Sequence, residues 1–346
     1  MTVTLSTLAI STTIRSTIQR VHAQVEQAYT EATTGRYADV GMTLGNRTGS
    51  ALSFRLEGSA TERQLASNKL VDSRLGAIDN VLDTVAASAS DLNKALILGF
   101  TDPKVLQSTV QTAASAMQTL TGMLNTSLNG QTLFAGQNTD QKPMNAYVEG
   151  SAPRSDVVQS FDDYLASIST TADQLTDAQM TAYLDGPFKA LFQTASDGTW
   201  QPFSNASSDN VVSRLSESQS VESTVSANEE AFRDLTAGYA MVMDLATRNL
   251  SVKAMGVVTA AAQQKLSTGM AGITAIQADI GLRQNRITDA NTTLTQKKDI
   301  MELSLDSLEG VDQSEAALRM QQLETQLQVS YKAAGQILQL SILDYI

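Results

Sequence analysis

The sequence predicts a mainly α protein. It reads as a long, coiled-coil-like helical rod built from both ends of the chain, with a small α+β domain inserted between the helices. Three observations predict this. Ile273, Ile280, Ile287, Leu294, Met301 and Leu308 stand seven residues apart, and Leu266 extends the series one step earlier. Such a repeat is the mark of a helix supercoiled on a partner. Apolar residues in steps of three and four recur near both chain ends. Between them, residues 129–203 hold four of the five prolines and most of the aromatics, so the character of the chain changes there.

Taken in order, residues 1–10 alternate loosely (Val3, Leu5, Leu8, Ile10) before a heptad stripe of Ile14, Ile18, Val21, Val25, Ala28 and Ala32 begins. The helix is expected to stop at Thr34-Gly35, where glycine is a natural terminator. Four glycines within residues 35–49 predict an irregular loop. The loop lacks the Gly-Lys-Ser/Thr of a phosphate-cradling motif. A long helix follows over 50–99, its best segment Leu75, Ile78, Leu82, Val85, Ala89, Leu92 and Leu96. Asp102 as N-cap and Pro103 at the first helical position start the next helix. That helix carries Leu106, Val110, Ala113, Met117, Leu120 and Leu124, and completes an αα-hairpin.

Residues 140–225 read as the inserted domain. Short helices are expected near Phe161–Ile168 and Tyr183–Phe192, a turn at Ser196-Asp197-Gly198, and strands at 211–215 and 221–225. The single tryptophan, Trp200, is expected in this domain's core. The pairs Asp162-Asp163 and Glu229-Glu230 read as solvated charges at helix starts. Ser226 and Glu229 have the spacing of a capping box. Phe232, Leu235, Tyr239, Val242 and Ala246 then open a helix that leads towards the rod of 266–308. As one helix the rod would be about 65 Å long at 1.5 Å per residue. Gly310 interrupts it, Asp312 or Ser314 can cap a new start, and a last stripe runs through Ala316, Met320, Leu323, Leu327, Tyr331, Ala334, Leu338, Ser341 and Tyr345.

Composition narrows function. The net charge of −12 argues against a nucleic-acid scaffold. With no cysteine and a single histidine, His22, the chain has no thiolate metal site and few routes to His-based catalysis. His22 lies beside the N-terminal stripe, without a second ligand at helical spacing. No apolar run approaches the ~20 residues of a membrane span, and no basic-then-apolar leader opens the sequence. No catalytic, cofactor-binding or metal-ligating residues are assigned. The residues singled out are apolar: Ile14, Ile18, Val21 and Val25 as an N-terminal assembly stripe, and Leu323, Leu327, Leu338 and Ile342 on the last helix.

Three segments carry a family resemblance. Ile280-Gly281-Leu282-Arg283-Gln284-Asn285-Arg286-Ile287 resembles the LGAxQNRL motif of the flagellin family. Leu128 through Gly136, ending Leu133-Phe134-Ala135-Gly136, is similar to the segment preceding the inserted domain in the family's hook–filament junction branch. The ending Leu340-Ser341-Ile342-Leu343-Asp344-Tyr345-Ile346 is closer to that branch than to the arginine-ended tails of filament flagellins. The resemblance departs at residues 37–50, where the family's Asp-Asp is missing.

The resemblance implies a secreted structural subunit of the extracellular bacterial flagellum. Such a subunit is exported unfolded and joins hook to filament. Implied partners are copies of itself, another hook-associated protein, flagellin, and an export chaperone that holds the last helix at Leu323, Leu327, Leu338 and Ile342. The implied layers are terminal helices 1–34 and 311–346 innermost and disordered in the monomer, rod helices 35–139 and 226–310 next, and 140–225 outermost. A filament flagellin, or a helical signalling or scaffold rod, are the alternative readings.

Overall fold

The computed structural model describes the backbone of residues 2–97, 103–195 and 200–343, and their side chains except those of 2–8, 10, 11 and 337–343. The chain divides into two compact units. One comprises Met1–Arg63 with Thr293–Ile346, the other Gln64–Thr292. Two helices, α3 (Thr48–Ile97) and α9 (Val252–Glu309), contribute to both.

In the first unit, helix α1 (Thr2–Thr34) ends where the sequence says it should. Gly35 adopts φ +69°, a left-handed conformation that side chains with a Cβ resist. The weak alternation of residues 1–10 does not make a strand, since α1 already starts at Thr2. The glycine-rich stretch is more ordered than a loop. It folds into a short helix, α2 (Val40–Leu44), and a 3₁₀ turn (Gly45–Arg47), and the Asp39 carboxylate accepts the Met42 N–H at 2.8 Å. The last helix, α10 (Gln313–Leu343), is capped by Asp312, whose carboxylate accepts the backbone N–H groups of Ser314 and Glu315.

The second unit is built on one hydrophobic cluster that runs from Val71 to Ala290. Helix α4 (Pro103–Leu124) supplies Ala113, Met117, Leu120 and Leu124. Its expected cap, Asp102, lies outside the described residues. Two antiparallel hairpins follow: β1 (Ser127–Leu128) with β2 (Gln131–Thr132), and β3 (Val212–Arg214) with β4 (Ser220–Glu222). Asn129 and Gly130, both at positive φ, make the tight turn of the first. Helices α5 (Ala152–Ser167) and α6 (Asp177–Tyr183) bring Phe161 and Tyr183 to 5.1 Å between ring centroids. A π-turn (Leu184–Phe188) and the short α7 (Lys189–Leu191) continue α6. Trp200 is buried as expected. Its indole stacks on Phe203 at 5.0 Å and donates to the Leu191 carbonyl. The turn expected at 196–198 lies outside the described residues.

Three expectations change in this unit. The capping box at Ser226 does not form. Helix α8 (Glu230–Ala240) starts later, with Glu229 as an N-cap that makes no side-chain cap bond. The Ser226 hydroxyl instead donates to the Ser207 carbonyl, and its backbone pairs with Ala135. A tertiary bridge has taken the residue that local sequence would have used. The acidic pairs are not simply solvated either. Asp162 meets Arg248 at 3.3 Å, and Glu229 is half-buried. Finally, the heptad helix begins well before Leu266, at Val252.

Gly269 shows why α8 and α9 lie so close. A Cβ there would come within 2.7 Å of the Leu235 side chain and 3.0 Å of the Ala231 carbonyl. In the heptad series Leu266, Ile273, Ile280, Ile287 and Met301 are buried, and Leu294 and Leu308 half-buried.

Candidate assembly interface

The candidate site is the pair formed by α1 and α10. They pack antiparallel, the end of α1 beside the start of α10, with Arg36 bridged to Gly310 and Val311 N–H donating to the Gly35 carbonyl. Both present a stripe in alternating steps of four and three. In α1 it is Ile14, Ile18, Val21, Val25, Ala28 and Ala32, all buried or half-buried. In α10 it is Ala316, Met320, Leu323, Leu327, Ser330 and Ala334. The heptad puts Ser330 in the seam and leaves Tyr331, expected on the stripe, 53 % exposed. Leu323 and Leu327 are therefore placed in the seam, whereas the side chains of Leu338 and Ile342 lie outside the described residues. His22 is exposed, 3.3 Å from Glu26 one turn on.

The pair is short of burial. Among the α1 stripe only Val21 and Ala28 are fully buried. Ordering each residue costs about 1–2 kcal/mol of backbone entropy, while full burial of a Leu or Ile returns about 1.5–3 kcal/mol. Half-buried stripes with alanine at two of six places in each helix recover less than that. One charge bond assists: Arg319 reaches Glu31 across the pair at 3.2 Å.

The same unit carries most of the exposed large apolar side chains among the described residues. Among the described residues, nine of the fifteen exposed large apolar side chains belong to it, although it holds about a third of the chain. They include Leu52, Leu56, Ile300, Leu303, Leu318 and Val329. Helix α1 has two arginines and two glutamates, and α10 has one arginine, one lysine and two glutamates. Each helix is neutral in a chain of −12, so copies of the pair can approach without like-charge repulsion.

Among the described residues there is no cluster of three His, Asp or Glu able to hold a metal ion, and no helix long and apolar enough to cross a membrane. A cavity near Phe188, Phe192 and Met241 has two of its basic groups engaged. Lys265 pairs with Asp234 at 2.6 Å, and Arg233 donates to the Phe192 carbonyl.

Comparison with known proteins agrees with this arrangement. Residues 5–139 match the model of the bacterial flagellin N-terminal helical region, and residues 263–346 that of the bacterial flagellin C-terminal helical region. The chain belongs to the flagellin family. No curated protein matches it. Among solved structures, the chain is similar to a putative flagellar hook-associated protein from Vibrio parahaemolyticus. That likeness has 13 % identity and a TM-score of 0.53, and covers 76 % of this chain and 97 % of that one. A Bacillus cereus protein, FlgL, is similar at 12 % identity and a TM-score of 0.47, covering 74 % and 98 %.

Members of the flagellin family build the flagellum, an extracellular structure, by assembling with one another. This chain is accordingly a flagellar structural subunit and not an enzyme. The matched regions contain both stripes, the joint at Gly35 and Gly310, and the Gln284-Asn285-Arg286 motif.

The motif itself does two things. Arg283, just before it, is held against Glu222 and Asp279 and donates to the Glu222 and Thr224 carbonyls. Leu282, Asn285 and Arg286 are exposed. The sequence singled out the motif but not the fastening role of Arg283. That role depends on a hairpin some sixty residues away in the chain.

Proposed function

We propose that this flagellin-family subunit is the adaptor between hook and filament, exported unfolded and folding as it assembles. The observation that carries this reading is the C-terminal segment Leu340 through Ile346, whose sequence follows the junction branch of the family. The likeness to a hook-associated fold supports it. The neutral, under-buried α1–α10 pair forms the innermost layer, where neighbouring copies, another hook-associated protein and flagellin cover the faces it leaves open. The layers are those read from the sequence: 1–34 with 311–346, then 35–139 with 226–310, then 140–225.

Before export, a chaperone holds α10 at Leu323, Leu327, Leu338 and Ile342. Leu323 and Leu327 are half-buried on the helix that packs on α1, so a chaperone on them competes with α1 and keeps the pair apart.

Electron microscopy of cells lacking the protein tests the adaptor role. Bare hooks, with filament protein shed into the medium, are expected. A missing or shortened filament above intact junctions would instead make the protein a filament flagellin.

A further inference from the structure

The joint between the terminal pair and the rest of its unit contains a feature that neither stripe requires. Glu309, the last residue of α9, has a fully buried side chain. A carboxylate at a helix C-terminus faces the negative end of the helix dipole, and a buried one needs a counter-charge. Asp306, one turn earlier, adds to the negative charge of this end, and the last turn has no basic residue. By local rules the end of α9 should fray.

Two arginines from the other side of the joint reverse this. Arg55, on α3, places Nη2 2.6 Å from Glu309 Oε2, and Arg36, just past Gly35, places Nη1 at 3.7 Å from the same oxygen. The backbone closes over them. Tyr37 N–H donates to the Glu309 carbonyl, Val311 N–H to the Gly35 carbonyl, and Gly310 N–H to the Asp306 carbonyl. The other carboxylate oxygen, Oε1, is buried with no hydrogen-bond partner. The carboxylate therefore depends on the arginines.

We propose that Glu309, Arg55 and Arg36 form a clasp that closes this joint, so that opening of the α1–α10 pair is not passed into α2, α3 and the end of α9. Two arginines from the start of the chain meet the buried carboxylate of a glutamate more than 250 residues later. It sits where the chain leaves the pair at Gly35 and returns to it at Val311. An assembly-coupled subunit needs such a stop, because a pair that orders only among neighbours would otherwise unravel the helices it hangs from. The clasp is a property of the free chain and stands whether or not the protein occupies the hook–filament junction.

Hydrogen exchange on the full-length monomer tests it, with Glu309→Gln, Arg55→Gln, the double variant, and Lys298→Gln as a control. The control removes a different cluster, half-buried Lys298 with exposed Glu62 at 2.8 Å and exposed Glu302 at 3.5 Å. Peptides covering 35–47 and 300–311 should exchange about tenfold faster in each single clasp variant. They should be no faster in the double than in the quicker single, because both residues serve one contact. Peptides from 71–124 and the control should match the parent. Arg55 is half-exposed, so Arg55→Gln carries the test even where Glu309→Gln loses the fold. Parent-like exchange at 35–47 and 300–311 in Arg55→Gln overturns the clasp. So does multiplied acceleration in the double, the same acceleration in Lys298→Gln, or acceleration that spreads equally through 71–124.

Discussion

At the scale of single residues, polar groups in the core are placed by tertiary partners. Asp244 lies in a π-turn, Met241–Leu245, that continues α8. It is buried, accepts from the Tyr147 hydroxyl at 2.7 Å and pairs with Arg154 at 2.8 Å. Burial and the Asp244 charge push the Tyr147 hydroxyl well above the ordinary tyrosine range. Asn68 is likewise buried, donating to the Leu215 carbonyl and to Asn291.

Glu229 gives a testable case. Burial, and then the neighbouring Glu222, raise its carboxyl pKa above the ordinary value of 4.5, against the pull of Arg233 and Arg283. A carboxyl whose folded pKa is raised favours the protonated form. Its ionisation therefore lowers stability as pH rises through that pKa, and has no effect below the unfolded value. Glu229→Gln should raise the melting temperature at pH 7.5, with the gain fading as pH falls to 4.5. Thermal unfolding across that range checks it, and a gain independent of pH would contradict the assignment.

At the scale of elements, helices were legible wherever an apolar period persisted. The α1 stripe, the stop at Gly35, the stretch from Leu75 to Leu96, the start at Pro103 and the heptads of α9 all follow from local spacing. The heptad of α10 was legible too, apart from the choice of Ser330 over Tyr331, since a mean period near 3.6 admits either. What failed was capping at Ser226 and the loop at 35–49. Ser226 is diverted into a bridge with Ala135, and Asp39 caps a short helix inside the glycine-rich stretch. Leu327→Asp tests the seam. It places an unpaired charge between α10 and α1, where burial is costly. Assembly and swimming should be lost while the melting transition of residues 64–292 stays within about 1 kcal/mol of the parent, since no core residue of that unit is touched. Normal swimming would show that the seam is not used.

At the scale of the whole molecule, the aromatic middle of the chain shares its core with the helices around it. Trp200, Phe203 and Phe161 belong to the same cluster as Leu75, Leu120 and Ile280. The second hairpin is also fastened to helices. Gln64 donates to the Arg214 carbonyl, Asn68 to that of Leu215, and Arg283 to those of Glu222 and Thr224. Replacing 140–225 with a Gly/Ser linker should therefore leave a product that binds ANS and melts without a sharp transition, since Phe134, Phe232 and Tyr239 lose their cover. A cooperative melt with no dye binding would establish the segment as a separable domain.

The sequence by itself determined the helical class, the heptad faces, the two glycine stops and the family, because each is written in local spacing or in contiguous motifs. Tertiary structure alone decided that the aromatic segment joins the main core, that Arg283 fastens a hairpin, and that Glu309 closes a joint with Arg36 and Arg55. Those contacts link residues tens to hundreds of positions apart. Their energy comes from burial and charge pairing in three dimensions, which no local period encodes.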